Sequence, residues 1–213
     1  MQATSLSDVR VIRRYVAIGD SFTAGAPGVP DAGRWPDEVA AALRPAEYHN
    51  LGVAGVTTGE VATEQLERCI ELDPDLVTVV CGVNDVLMSV RPDIDAHAAA
   101  LGRIFRTLRE RLPEAIVVTV TTPPIAEHIG LRPRSRRRVE RGIEALNEIT
   151  RSLAARHGVL CLEWGDHPVA RERENFAHDG FHPSATGIRR AALACAQALA
   201  AQHGIATAGE EMA

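Results

Sequence analysis

A serine hydroxyl attacks a carbonyl carbon only when a base within hydrogen-bond reach takes its proton and a third group holds that base. Three residues of this chain are of the right types. Ser21 stands in Gly19-Asp20-Ser21, and Asp179 and His182 stand in His178-Asp179-Gly180-Phe181-His182-Pro183. Asp179 and His182 are three apart around a glycine, so a turn there can aim the carboxylate at one imidazole nitrogen and leave the other for Ser21. The chemistry would be acyl transfer through a covalent intermediate. A tetrahedral oxyanion formed on that path needs donors pointed at its charge. The Ser21 N–H is one candidate. A glycine in the turn at 52–55 is another, because no side chain keeps its N–H from a substrate. The Asn84 amide, in Gly82-Val83-Asn84-Asp85, is a third.

These residues are far apart in sequence, so the fold must gather them. Short apolar runs at 15–19, 76–81, 115–121 and 159–162, with a less apolar stretch at 48–51, predict five strands. Helical periodicity predicts helices over 35–43, 60–72, 94–112, 137–157 and 185–203, with Pro36 in a first turn and Pro74 and Pro113 as stops. Alternation of apolar strands with helices implies one doubly wound α/β domain, a mostly parallel sheet covered on both faces. In such sheets ligands bind beyond the carboxyl ends of the strands, where strand order reverses. In the order 2-1-3-4-5, strands one and three flank that crevice, and Ser21 and Asn84 face each other across it. Strand five lies about 14 Å from strand one at the usual spacing, a gap that residues 163–178 span easily. The domain is expected to occupy 1–213, with its core over about 14–204 and a frayed tail from 205.

Each residue also has a plainer reading. Ser21 could cap a helix, Asn84 and Asp85 could form a turn, and Gly52, Gly55 and Gly59 could serve packing alone. His178, Asp179 and His182 could ligate a metal, but no further His/Cys cluster completes the set, and no metal or cofactor is expected. Asp20 is expected to brace the Ser21 turn. Trp35 and Trp164 are expected in core or rim packing, with the mouth of an acyl pocket as the alternative. Segment 131–141 carries six arginines. It reads as a solvated helix face with Arg136–Glu140 and Arg141–Glu144 spaced for ion pairs, or as a site for an anionic group near a helix N-terminus.

Four blocks in order resemble the SGNH hydrolases, the GDSL esterase/lipase superfamily: Gly19-Asp-Ser-Phe-Thr-Ala-Gly25, Asn50-Leu-Gly-Val-Ala-Gly55, Gly82-Val-Asn-Asp85 and Asp179-Gly-Phe-His-Pro183. Phe22-Thr23 departs from the Leu-containing form that named the family, without touching a catalytic position. The resemblance implies a flavodoxin-like three-layer α/β/α sandwich and a metal-free acyl-ester hydrolase. It implies Ser21 as nucleophile, His182 as base and Asp179 as the orienting carboxylate. It also implies Ser21, Gly55 and Asn84 as the oxyanion hole, with Gly52 the other register for the glycine.

Composition narrows the partners. All 23 basic residues are Arg and the formal charge is −5, which argues against general nucleic-acid binding. No segment approaches the roughly 20 apolar residues of a membrane span. Cys69, Cys81, Cys161 and Cys195 are widely spaced, which suits free thiols in a reducing compartment and hence the cytoplasm. The chain lacks the phosphate-cradling G-x-x-x-x-G-K-[ST] and G-x-G-x-x-G loops, and it lacks G-x-S-x-G. The expected partner is a small-molecule ester, and oligomeric state is left open. A short-acyl esterase or deacetylase is favoured because no amphipathic lid is evident, with a longer-acyl lysophospholipase or thioesterase, or a non-catalytic flavodoxin-like binding module, as the alternatives.

Overall fold

The computed structural model describes residues 10–26, 28–29 and 33–207. Strands β1 (Arg14–Gly19), β2 (Glu47–Asn50), β3 (Leu76–Val80), β4 (Ile116–Val120) and β5 (Leu160–Leu162) form one parallel sheet in the order β2-β1-β3-β4-β5. The β-branched runs make β3 and β4, which with the apolar β1 are the three central strands, buried on both faces.

Alternation along these strands divides the core. Tyr15, Ala17, Leu76, Val80, Ile116 and Val118 face helices α2 (Trp35–Leu43) and α8 (Ala185–His203). Val16, Ile18, Val77, Val79 and Val117 face the other layer, built from α4 (Leu66–Glu71) and α6 (Ile94–Arg111). Helix α7 (Pro133–His157) supplies Val139, Ile143 and Leu146 to the first cluster and Ala154 to the second. The three-layer α/β/α sandwich and its strand order are those expected from sequence.

Three features differ from expectation. Helix α7 begins at Pro133, because proline is well placed in a first turn and the arginines that follow are good helix formers. Neither Arg136–Glu140 nor Arg141–Glu144 pairs; Arg138 instead donates to the carbonyls of Val86 and Ser89. The chain beyond 204 is not frayed where it is described. Ile205 is buried, and a parallel bridge joins it to Arg10, with Arg10 N–H on the Gly204 carbonyl (3.0 Å) and Ala206 N–H on that of Arg10 (3.2 Å). Ile12 is buried as well, so the core reaches past both expected ends. The expectation for 208–213 lies outside the described residues.

Candidate active site

The site is assembled at the carboxyl ends of β1 and β3. Gly19 closes β1 at φ +149°, where an added Cβ would lie 1.9 Å from the Val80 carbonyl oxygen. That close approach lets the Asp20 N–H reach the same oxygen at 3.1 Å. Gln65 grips Gly19 on both sides, accepting from its N–H (2.8 Å) and donating to its carbonyl (2.9 Å). Asp20 then caps the four-residue turn α1 (Ser21–Ala24), its Oδ1 accepting the Phe22 N–H at 2.9 Å. Ser21 therefore begins a turn fixed from both ends. It is 7% exposed.

The other half comes from the segment after β5. An antiparallel bridge between Phe176 and Pro183 pinches it into a turn, and the Ala177 N–H donates to the His182 carbonyl at 2.7 Å. Gly180 sits at the tip with φ +70°, packed so closely on His128 that a Cβ would lie 2.3 Å from that residue's carbonyl oxygen. Asp179 Oδ1 accepts the N–H groups of Phe181 (2.9 Å) and His182 (3.0 Å). Its Oδ2 meets His182 Nδ1 at 2.6 Å, and His182 Nε2 lies 3.0 Å from Ser21 Oγ. With the carboxylate on Nδ1–H, Nε2 is left as the acceptor for the Ser21 hydroxyl. Partial burial works to raise the Asp179 pKa. The ring hydrogen bond of His182 and the two backbone N–H groups outweigh it and hold the carboxyl below its ordinary range.

The expected oxyanion donors stand differently. The first turn of α5 (Val83–Leu87) carries Asn84, 7% exposed, whose Nδ2 donates to the Val56 carbonyl at 2.8 Å. That bond occupies one amide hydrogen and ties the β3 turn to the loop holding Gly55. Gly55 is exposed, has φ +86° and has open space around it. Neither its N–H nor that of Ser21 donates to another described residue. Gly52 is excluded as the free donor: its N–H is bound to Asn50 Oδ1 at 3.0 Å, and it packs tightly on Thr23 and Ala24.

A buried polar layer underlies the site. Asp85 Oδ2 accepts the Thr58 N–H (3.0 Å) and hydroxyl (3.1 Å), and Thr58 Oγ1 lies 2.9 Å from His97 Nδ1. Since the hydroxyl hydrogen goes to Asp85, Oγ1 accepts from an Nδ1–H on His97. Burial lowers the His97 pKa, against the pull of Asp85, and so favours its neutral form. Sequence reasoning misses Gln65 and His97, yet each interrupts an inward apolar stripe: Val61-Ala62-Gln65-Leu66-Cys69, and His97-Leu101-Ile104-Phe105-Leu108. Gln65 also ends a π-helical stretch (Val61–Gln65) between α3 (Thr58–Glu60) and α4, a distortion that often marks functional sites. Among the described residues, no three His, Cys, Asp or Glu side chains converge where they could hold a metal ion.

Asp20 carries a testable cost. Its burial, with Asp85 nearby, pushes the carboxyl up from 3.8 to about 7 despite the Phe22 N–H. A folded pKa above the unfolded one means stability is full in acid and falls as pH rises from about 4 to about 7, by about 4 kcal/mol in all. Asp20→Asn keeps an acceptor for Phe22 and removes the ionisation. Relative to wild type, the variant should gain stability on going from pH 5 to pH 8 in urea unfolding. An identical difference at both pH values would mean that Asp20 is not perturbed.

Residues 17–190 match the model of the GDSL-like lipase/acylhydrolase family. The chain has no match among curated proteins. Among solved structures it is similar to a lipase/acylhydrolase from Enterococcus faecalis, with 21% identity and TM-score 0.69 over 89% of this chain and 96% of that one. It is also similar to an extracellular lipase from Streptomyces rimosus, with 20% identity and TM-score 0.64 over 87% and 99%. A third is a catalytic mutant of an acetylxylan esterase from Geobacillus stearothermophilus, with 17% identity and TM-score 0.66 over 93% and 97%. At such identities these likenesses speak for a common fold. The family match spans most of the chain: this protein belongs to the GDSL-like lipase/acylhydrolase family and is a carboxylic ester hydrolase.

Proposed function

We propose that the protein cleaves a small carboxylic ester through an acyl-enzyme on Ser21, with His182 as general base and Asp179 as the group that holds it. One observation carries this reading: a single imidazole bonded to the Asp179 carboxylate at 2.6 Å and to the Ser21 hydroxyl at 3.0 Å. Ser21 Oγ attacks the carbonyl carbon as its proton passes to His182 Nε2. Asp179 stabilises the imidazolium without taking the proton. The Ser21 N–H, the Gly55 N–H and the remaining Asn84 amide hydrogen receive the oxyanion. As the carbon–oxygen bond to the alcohol breaks, His182 returns the proton to the leaving oxygen. Water then attacks the acyl-enzyme with His182 again as base, releasing the acid and Ser21. A fluorophosphonate probe should label Ser21 stoichiometrically in the wild type and leave Ser21→Ala unlabelled. Absence of labelling in the wild type would favour a binding module over a hydrolase.

Asn84→Ala should lower kcat by about 10²–10³ while KM changes little, the signature of a donor that acts on the transition state. Initial rates on p-nitrophenyl acetate measure this, and a loss under tenfold would remove Asn84 from the oxyanion hole. We further read 1–213 as a single domain, supported by one sheet serving every helix among the described residues. The cytoplasm remains the proposed location. Its support is four free cysteines, of which Cys69 and Cys195 are buried. Among the described residues, no helix is long and apolar enough to cross a membrane.

A further inference from the structure

Beside the triad lies a cavity of about 350 Å³, within the range of small-ligand pockets. Phe22, next to Ser21 in the chain, and Pro183, next to His182, are among the residues that line it. The Phe22 ring stands edge-on to Phe181, its centroid 6.0 Å from that of His182. A smaller space of about 20 Å³, lined by Asp20 among others, shares Phe22, Pro123 and Trp164 with the cavity. Opposite, Trp35 and Trp164 pack edge to face at 5.7 Å, and Ala191 and Ala194 of α8 leave the space between helix and loop unfilled.

The lining is almost wholly apolar, so a ligand that fills the cavity removes apolar surface from water. Its outer wall is held rather than collapsed: Arg190 on α8 bonds Glu172 (2.7 Å), Glu174 and Asn175 (2.8 Å), strapping the loop after β5 across the opening. Leu193 lines the cavity while remaining 58% exposed, an apolar lip at its edge. An apolar cavity lined by the chain neighbours of both Ser21 and His182 fits an alkyl chain.

We propose that this cavity seats an unbranched alkyl chain of the ester cleaved at Ser21, which makes the substrate a medium-chain ester rather than an acetate. The proposal rests on the reading of Ser21 given above. It departs from the short-acyl expectation, which rests on the lack of a lid; here Trp35 of α2, helix α8 and the strapped loop line an apolar cavity without one. The alkyl chain could belong to the acid or to the alcohol, and these are separable.

Each buried methylene is worth about fourfold in binding, so even partial seating gives at least about tenfold in kcat/KM between two and eight carbons. The acyl arm uses p-nitrophenyl acetate, butyrate and octanoate, and the alkoxy arm uses ethyl, butyl and octyl acetate. One arm should climb, and the climbing arm identifies which side of the ester enters. Ala194→Phe and Ala191→Phe, which fill the cavity, should abolish the climb and keep two-carbon turnover within about twofold of wild type. That retained turnover doubles as the control for folding. Octan-1-ol added to Ser21→Ala should shift the fluorescence of Trp35 and Trp164, the only tryptophans, saturably. Flat series in both arms with no fluorescence response would overturn the proposal and leave the hydrolase intact. So would a climb that survives in both phenylalanine variants. A saturable octanol response with no ester cleaved by wild type would sink the hydrolase reading while upholding the cavity as an alkyl site.

Discussion

Ser21→Ala is expected to lower kcat/KM on a short p-nitrophenyl ester by about 10⁴–10⁶, leaving the small acceleration that binding and the oxyanion donors supply alone. The size of the effect follows from geometry. Among the described residues, the hydroxyl is the one hydrogen-bond partner of His182 Nε2, at 3.0 Å. Without it the base has no nucleophile to deprotonate except an unpositioned water. The fold should barely notice, because the turn is held by Asp20 on the Phe22 N–H and by Gln65 on Gly19. The side-chain oxygen takes part in neither. A thermal midpoint close to wild type, beside lost turnover, is therefore the expected pair of results. Activity above a tenth of wild type would rule out Ser21 as nucleophile.

Asp179→Asn should cost about 10⁴ in kcat, for a reason specific to how the carboxylate is divided. Oδ1 is committed to the backbone N–H groups of Phe181 and His182, and Oδ2 to His182 Nδ1. In the variant the single oxygen stays with the two backbone donors, which turns the new NH₂ toward Nδ1. Nδ1 must then accept, the ring proton moves to Nε2, and the base points a hydrogen at Ser21. Stability carries a matching signature. A carboxyl held below its ordinary pKa stabilises the fold above that ordinary value and loses the contribution as pH falls through the depressed one. Wild type and Asp179→Asn should thus differ most in stability at neutral pH and converge in strong acid. Rates within tenfold of wild type would show that the carboxylate does not fix the tautomer.

The sheet is legible in the sequence because its signals are local. The runs at 76–81 and 115–121 are β-branched and bounded by turn formers, and their strands fall within a residue of expectation. Helix α5 is hidden because Gly82-Val83-Asn84-Asp85 carries turn residues, and the contact of Asn84 with Val56 joins segments 28 residues apart. Chain length alone permits Ser21 to meet His182 but does not require it. The meeting depends on Gly180 lying against His128 and on a Phe176–Pro183 bridge, contacts between segments with no shared periodicity. In sequence, Gly55 is preferred over Gly52 only by family spacing. The structure adds a three-dimensional fact about Gly52: Asn50 already occupies its N–H.

The bridge between Arg10 and Ile205 bears on how such a site can be inherited. Because those two positions are neighbours, the described part of the chain, from 10 to 207, is nearly a ring, and a short splice from 207 to 10 would close it. Reopened beside Val90, which stands 83% exposed, the same ring would carry its imidazole ahead of its hydroxyl in linear order. The sequence of catalytic groups along the chain records where the ring happens to be cut, and the chemistry is indifferent to it.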